Sequence, residues 1–529
     1  MTKRDVVVCA GAGVLCSLPE LIVQRGLGAG YVVYALVVGV LIGHRRTGVA
    51  VGVAGGALIG VLGWLLVQLS LVPLLHGEIP AWSAGAVLRG YPVLVADVLH
   101  GGLTGFVLAF VPRVRKGHTT RESVRIVIVG GGFAGVSAAK RLERHALRGA
   151  GIDVTLVSDS NFLLFTPMLA EVASGALEPA HISAPVRSAV AHTMFRNGRV
   201  SKVDADARLV QVGDDVIPYD HLVLAVGSVP HSFGLPGVAE HAWTLKSLVD
   251  ATRLRDHVIG RLELADNEPD GATREHLLTF VVAGGGFAGT ETIAELFDLV
   301  HRIVHFFPGV DPGELRFLLV HPGERILPEM PANLADYALQ RLKSRGIECL
   351  LGVRVAKATA SEVWLDNGES FSTSTFVWTA GNRPNPLAGE RAIETDARLK
   401  AVGLDNVWAV GDCARIPAPD GTHYPPTAQH ALRQGTVVAD NIAAVLKGHQ
   451  PRDFRFRTLG LLVALGHRTA AADVRGRQFS GFAAWLLWRG VYLAKLPGMD
   501  KRIRVLFDWV LDLVFPRDIV VTGRDEVSR

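Results

Sequence analysis

The sequence predicts an α/β fold. Two doubly wound, Rossmann-like parallel-sheet domains are expected, the first interrupted by the second, between an apolar N-terminal α-helical transmembrane bundle and a C-terminal amphipathic helical anchor. Three observations predict it. A strand-length apolar run, a Gly-x-Gly-x-x-Gly turn and a helical run occur in that order twice, as VRIVIVGGGFAGVSAAKRL (124–142) and FVVAGGGFAGTETIAEL (280–296). Residues 5–112 are almost uncharged, and the mean hydropathy of the chain, +0.30, is high for a soluble protein. Residues 479–514 carry apolar positions at helical spacing with basic and aromatic residues around them.

Within 1–115, four apolar segments can be drawn, at about 5–23, 29–43, 48–75 and 92–112, against the ~20 residues that a bilayer span needs. A signal peptide is disfavoured, because no Ala-x-Ala site follows the first segment. With four spans, Lys3, Arg4, Arg45, Arg46, Arg113, Arg115 and Lys116 fall on one side, which the positive-inside bias makes cytoplasmic. The expectation is therefore a multi-pass protein of the cell membrane, in contact with the lipid bilayer, whose remaining domains face the cytoplasm. Gly52-x-x-x-Gly56-x-x-x-Gly60 and Gly101-x-x-x-Gly105 would let these helices pack closely. Asp97 and His100 share one helical face in the fourth segment, as an interfacial or bundle-internal pair or as a functional one.

Composition excludes several classes. The formal net charge is only +4 and no arginine-rich run is interleaved with aromatics, so nucleic acid is not the expected partner. Cys9, Cys16, Cys349 and Cys413 form no C-x-x-C, which argues against a dithiol centre, a zinc site or any other metal site.

Each glycine motif has a mechanical reason. The first glycine makes the tight turn, the second lets the backbone approach a pyrophosphate, and the third lets helix pack on strand. Gly130, Gly132 and Gly135 form one such site and Gly284, Gly286 and Gly289 the other. Two dinucleotide sites on one chain suggest FAD and NAD(P)H held face to face. An acid at the end of the second strand normally holds the ribose hydroxyls. In the first domain Ser158 stands there, and Asp159, one residue on, is the candidate. In the second domain the place is taken by His321, with Glu324 nearby, which leaves the choice between NADH and NADPH open.

Asn161–Met168, NFLLFTPM, is too apolar for an ordinary loop; it is core, or it packs over a flavin ring with Pro167 in contact. HLVLAVG (221–227) and TSTFVWTAG (373–381) end in Gly227 and Gly381, turns that hand the chain from one domain to the other. VWAVGD (407–412) ends a strand at Gly411 and Asp412, where a carboxylate can take hydrogen bonds from ribityl hydroxyls. The expected domains are 1–115 (transmembrane), 123–241 (FAD, first part), 242–370 (NAD(P)H), 371–455 (FAD, second part) and 456–529 (helical, membrane-associating). For the tail, the alternatives are a membrane interface, packing on the body or a second subunit, or both, one face each.

At this point residues 123–516 resemble the type II NADH:quinone oxidoreductases, single-chain flavoproteins of respiratory membranes. The resemblance rests on the two glycine motifs, NFLLFTPMLAEVASGALEP, LVLAVGSVPHSFGLPGV, ERILPEM, VWAVGDCARIP and PPTAQHALRQG, all in the family's order. It implies non-covalent FAD, oxidation of NADH by hydride transfer, reduction of a membrane quinone without proton pumping, and a possible homodimer through the tail. It also implies that Glu291 lies beside nicotinamide and flavin, and that Ala428, Gln429, Ala431 and Gln434 form the quinone-side motif. The catalytic candidates are thus Glu291, Gln429 and Gln434, with Ala428 and Gln429 also against the cofactor. Arg433, His321 and Ser158 depart from the family pattern. The alternative activity is a flavin reductase that passes electrons to a non-quinone acceptor or a membrane partner. A sulfide-oxidising relative would need a cysteine pair near the flavin, and Cys349 and Cys413 offer no such spacing.

Overall fold

In a computed structural model, the structure describes residues 49–65, 69, 85, 88, 90–109, 123–147, 149 and 151–521. The chain divides into two compact units, 1–120 and 121–529. In the first, the helices Val49–Gly63 and Tyr91–Ala109 pack through glycines. A Cβ on Gly56 would stand 1.8 Å from the Gly101 carbonyl oxygen, and one on Gly60 would stand 2.2 Å from that of Asp97. Asp97 and His100 are buried.

Of the four expected spans, 5–23 and 29–43 lie outside the described residues. The third holds the helix Val49–Gly63, and most of the rest of that segment lies outside the described residues. The fourth holds the continuous helix Tyr91–Ala109, which carries Asp97 and His100. Among the described residues no helix is long and apolar enough to cross a membrane.

The second unit is built on two parallel five-stranded sheets. The first runs in the order 407–409, 221–224, 124–129, 152–158, 194–197. The second runs 243–244, 375–378, 279–283, 316–321, 347–351. In each, the glycine-motif strand is central and buried, as an unbroken apolar run requires. Thr375–Trp378 pairs with Phe280–Ala283 inside the second sheet, so the return to the first domain falls after Trp378 and not at 370. The physical reason is that a central strand needs neighbours on both sides, and this one supplies the second. The two crossings between domains, Ser228–Pro230 and Asn382–Pro384, pair with each other antiparallel.

The expectation that 456–529 is helical also needs correction. The segment opens as an antiparallel sheet of Gly460–Ala464, Ala470–Val474 and Arg477–Ser480, and only then forms the helices Gly481–Lys495 and Met499–Val514. Ala484, Trp488, Leu496, Val505 and Trp509 join the core of the second domain. The stripe that stands out in the sequence, with Leu506, Phe507, Val510 and Val514, instead lies exposed. One face of the tail is thus packed on the body and the apolar stripe is left outside.

Helix Ala428–Val445 lies against motif helix Phe133–Ala146, and a Cβ on Gly435 would come 2.1 Å from the Ala134 carbonyl oxygen. Gly435→Ala should therefore cost about 1–3 kcal/mol by overpacking. Gly271→Ala, with nothing within 4 Å of the added carbon, should not destabilise. Thermal unfolding midpoints of the two variants check this.

Candidate functional site

The two glycine turns are near-copies. Gly130 has φ +112° and Gly284 φ +115°, left-handed conformations that glycine adopts without strain. Each donates its N–H to the end of the second strand, Gly130 to Val157 and Gly284 to Val320, both at 2.8 Å. A Cβ on Gly135 would sit 1.9 Å from the Gly130 carbonyl oxygen, and one on Gly289 would sit 1.7 Å from that of Gly284. A Cβ on Gly132 or Gly286 would meet nothing within 4 Å. Both helices start at these open glycines without a side-chain cap, so their first N–H groups face free space, an arrangement suited to an anion. The residues present therefore fit two pyrophosphates, one per domain.

At the second-strand ends, Ser158 and His321 occupy equivalent places against the middle glycines. Ser158 lies 2.7 Å from where a Cβ of Gly131 would be, and the His321 ring the same distance from that of Gly285. His321 Nδ1 accepts the Gly285 N–H at 3.0 Å, and burial lowers the imidazole pKa. Gly285 is also held from its other side, since its carbonyl accepts the Leu327 N–H at 2.7 Å. Leu327 reaches it with φ +49° and is fully buried. This is the local reason for the compact ERILPEM segment. Asp159 is exposed. In NFLLFTPM, Leu163, Phe165 and Met168 are core, while Pro167 heads a short 3-10 turn and is half-buried.

Gly227 and Gly381 lie at the two domain crossings. The Gly227 carbonyl accepts from Asn385 and the Gly381 carbonyl from His231, each at 3.0 Å. Beside them, Asp412 accepts from Ser228 Oγ at 2.9 Å, and Gly411 donates its N–H to Gln434 Oε1 at 2.8 Å. A cavity of about 250 Å³ opens here, lined by Asp412, Tyr424, Thr427, His430 and Gln434 among others. Sequence reasoning missed Lys246. Its Nζ donates to Ser228 Oγ at 3.1 Å and Asn382 Oδ1 at 3.3 Å, tying both crossings to the Asp412 network. Burial lowers its pKa and Asp412 opposes that. Its one sequence signal is a lysine directly ahead of the Ser247–Asp250 capping box.

Thr427 caps helix Ala428–Val445 through the His430 N–H, with Ala428 as the first residue. Gln429 binds the C-terminal sheet twice: Nε2 donates to the Gly460 carbonyl at 2.8 Å, and Oε1 accepts from Leu459 at 3.3 Å. Arg433 stacks on Phe456 at 4.1 Å and donates to the Gln429 carbonyl at 2.9 Å. At the far end of the same strand, Ala464 donates its N–H to Glu291 Oε1 at 3.0 Å. The surrounding protein pushes the Glu291 carboxyl up to about 8, the Ala464 bond pulling the other way. One turn further, Glu295 is buried against Ser174 Oγ (2.7 Å) and Arg517 (3.3 Å). Trp509 Nε1 donates to Glu171 at 3.1 Å. These carboxylates, with Arg489 and Asp512, line a cavity of about 160 Å³ under the tail helices.

Burial pushes the thiols of Cys349 and Cys413 up to about 11, so both are protonated at neutral pH. Among the described residues no group of three His, Cys, Asp or Glu could hold a metal ion.

Gly132→Ala should fold normally yet lose bound flavin, because its methyl enters the open space above the helix. Gly135→Ala should instead lower the yield of folded protein. Flavin absorbance per folded chain, with circular dichroism, separates the two outcomes.

Two family models match. One, described as pyridine nucleotide-disulphide oxidoreductase, covers residues 124–435, and the NDH2 C-terminal domain covers 459–518. The chain is 32% identical over 433 residues to a probable NADH dehydrogenase of Dictyostelium discoideum, covering 78% of this chain and 94% of the relative. It is 30% identical over 436 residues to the type II NADH:quinone oxidoreductase Ndh of Mycobacterium tuberculosis, covering 77% and 92%. Among solved structures, NDH2 from Plasmodium falciparum in complex with NADH superposes with a TM-score of 0.70 at 18% identity, over 76% of this chain and all of that one. The sulfide:quinone oxidoreductase of Aquifex aeolicus gives 0.58 at 17% identity, over 74% and 96%. At these identities the superpositions speak to the fold alone.

Proposed function

The chain belongs to the type II NADH:quinone oxidoreductases, and from that premise we propose that it oxidises NADH through bound FAD and reduces a membrane quinone, without proton pumping. The observation that carries this reading is the pair of matching glycine cradles in two sheets of one compact unit. Bound FAD supplies the acceptor for a hydride from NADH and the donor of two electrons to quinone. Gly130, Gly132 and Gly135 hold the FAD pyrophosphate, Asp412 and Gly411 face its ribityl chain, and Gly284, Gly286 and Gly289 hold that of NADH. Pro167, Gly227, Gly381 and Ala428 complete the lining, with Asp159 at the FAD ribose.

Glu291 is the residue we place beside the nicotinamide, where its protonated carboxyl can hold or deliver a proton. Reduction of quinone by NADH consumes one proton from the medium, so a half-buried acid that is neutral at pH 7 has a use there. Gln429 and Gln434 are placed on the quinone side. Gln429 is oriented by its two bonds to the C-terminal strand, and Gln434 is oriented by Gly411.

We place the protein at the cell membrane. Support comes from exposed Phe482, Leu486, Leu506, Phe507, Val510 and Val514 on the tail helices, and from the four apolar segments of 1–115 with their basic flanks. Those flanks put the catalytic unit on the cytoplasmic side. The same exposed tail face could instead close a homodimer, which the family resemblance suggests.

With detergent-purified protein under anaerobic conditions, NADH should bleach the flavin rapidly and a short-chain quinone should restore its colour as fast. Rapid bleaching with sluggish recovery would overturn the quinone half of the reading. A second expectation concerns pH. The folded-state pKa of Glu291, about 8, lies above its ordinary value of 4.5. Its contribution to stability is therefore full below about pH 4.5 and is lost as pH rises through about 8. The unfolding midpoint should fall between about pH 4.5 and pH 8 and level off above that. Glu291→Gln, which keeps an acceptor for Ala464 and cannot ionise, should reduce that fall and flatten the alkaline limb of turnover.

A further inference from the structure

The second-strand end of the NADH domain is where a dinucleotide fold chooses between a ribose 2′-hydroxyl and a 2′-phosphate. A carboxylate there accepts a bond from the hydroxyl and repels the phosphate. In this chain His321 holds that place, and the acceptor nitrogen of its ring is committed to backbone. Nδ1 accepts the Gly285 N–H at 3.0 Å, which fixes the proton of the neutral ring on Nε2. The backbone of Arg325 acts on the ring as well, opposing the lowering of its pKa by burial. The loop is pinned as well: Val353 donates to the His321 carbonyl at 3.3 Å and Gly352 to that of Gly323 at 3.1 Å.

We propose that His321 makes the nicotinamide-nucleotide site indifferent to the 2′-phosphate, so that the protein binds NADPH about as well as NADH. The inference rests on the reading of residues 279–351 as the NADH-binding domain and deepens it. A neutral imidazole whose acceptor nitrogen, Nδ1, is taken by the Gly285 N–H offers no acceptor that would reward a 2′-hydroxyl and no negative charge that would reject a phosphate. Of the neighbouring charges, Glu329 is near enough to act on the His321 ring, but an exposed carboxylate is screened by solvent. Glu324 and Glu329 are exposed, and the half-buried Arg325 directs Nη2 to the Pro328 carbonyl at 3.3 Å.

The test is calorimetric binding to the full-length, FAD-loaded protein in detergent, with NADH, NADPH, 5′-AMP and 2′,5′-ADP as probes. The wild type should bind NADH and NADPH with constants within about tenfold of each other, since no close charge pair separates them. His321→Glu should weaken NADPH and 2′,5′-ADP by at least about tenfold, the size of effect a nearby carboxylate exerts on a phosphate, and bind 5′-AMP at least as tightly as the wild type. His321→Gln, neutral and able to accept from Gly285, should keep the wild-type ratio and guards against misfolding of the glutamate variant. A wild type that prefers NADH by more than about tenfold overturns the proposal, and if Glu324→Gln then removes that preference, Glu324 is the selecting group. Equal behaviour of wild type and His321→Glu overturns it too. Failure to bind either NADH or 5′-AMP would count against the domain reading itself, and so is distinguishable from both.

Discussion

The catalytic unit depends on one close backbone contact made twice: the third glycine of each motif against the carbonyl of the first. A Cβ at Gly135 or Gly289 would lie within 1.9 Å of that oxygen, so a helix can rest on the turn that launches it only where there is no side chain. Everything downstream inherits the direction this contact sets. It points the uncapped start of helix Phe287–Ile303 into open space. It also brings Glu291 and Glu295, one turn apart, onto the side of that helix covered by the C-terminal sheet.

That sheet joins the two halves of the site. The backbone between Leu459 and Ala464 holds Gln429 at one end and Glu291 at the other, residues that belong to different nucleotide domains. Beneath it, buried acids and arginines are balanced against one another. Arg517 reaches both Glu295 and Asp512, and Asp512 also receives Arg302 at 2.6 Å. Removing Arg517 would leave Glu295 without its arginine, and lone buried charges are expensive. The tail is therefore part of the catalytic unit's interior as much as its outer surface.

What could be read in the sequence was what backbone geometry forces on residue type. The glycine turns and the apolar central strands each have a local cause and a local signature. The rest depends on pairing across long stretches of chain. Thr375–Trp378 belongs to the second sheet because it pairs with a strand some 95 residues earlier, and no local signal separates it from the turn that follows. Lys246 gains its place only when Ser228 and Asn382 are brought together. The tail's apolar stripe left open whether it meets a membrane interface, the body or a second subunit; Val505 and Trp509, off that stripe, enter the core, because burial is decided by the shape of the partner. His321 was visible as a departure; that its ring is occupied by Gly285 was not.

The paired crossings, Ser228–Pro230 against Asn382–Pro384, also say something about how such a chain can be built and rebuilt. The inserted domain leaves and rejoins its host at adjacent points, so it has the topology of a cassette. Its removal would leave a short gap that a turn could close, without rethreading the remaining strands. Domain insertion is tolerated where entry and exit lie together. A nucleotide module of different preference could be exchanged at this seam, with Lys246 and the C-terminal strand as the two fastenings a replacement must reproduce.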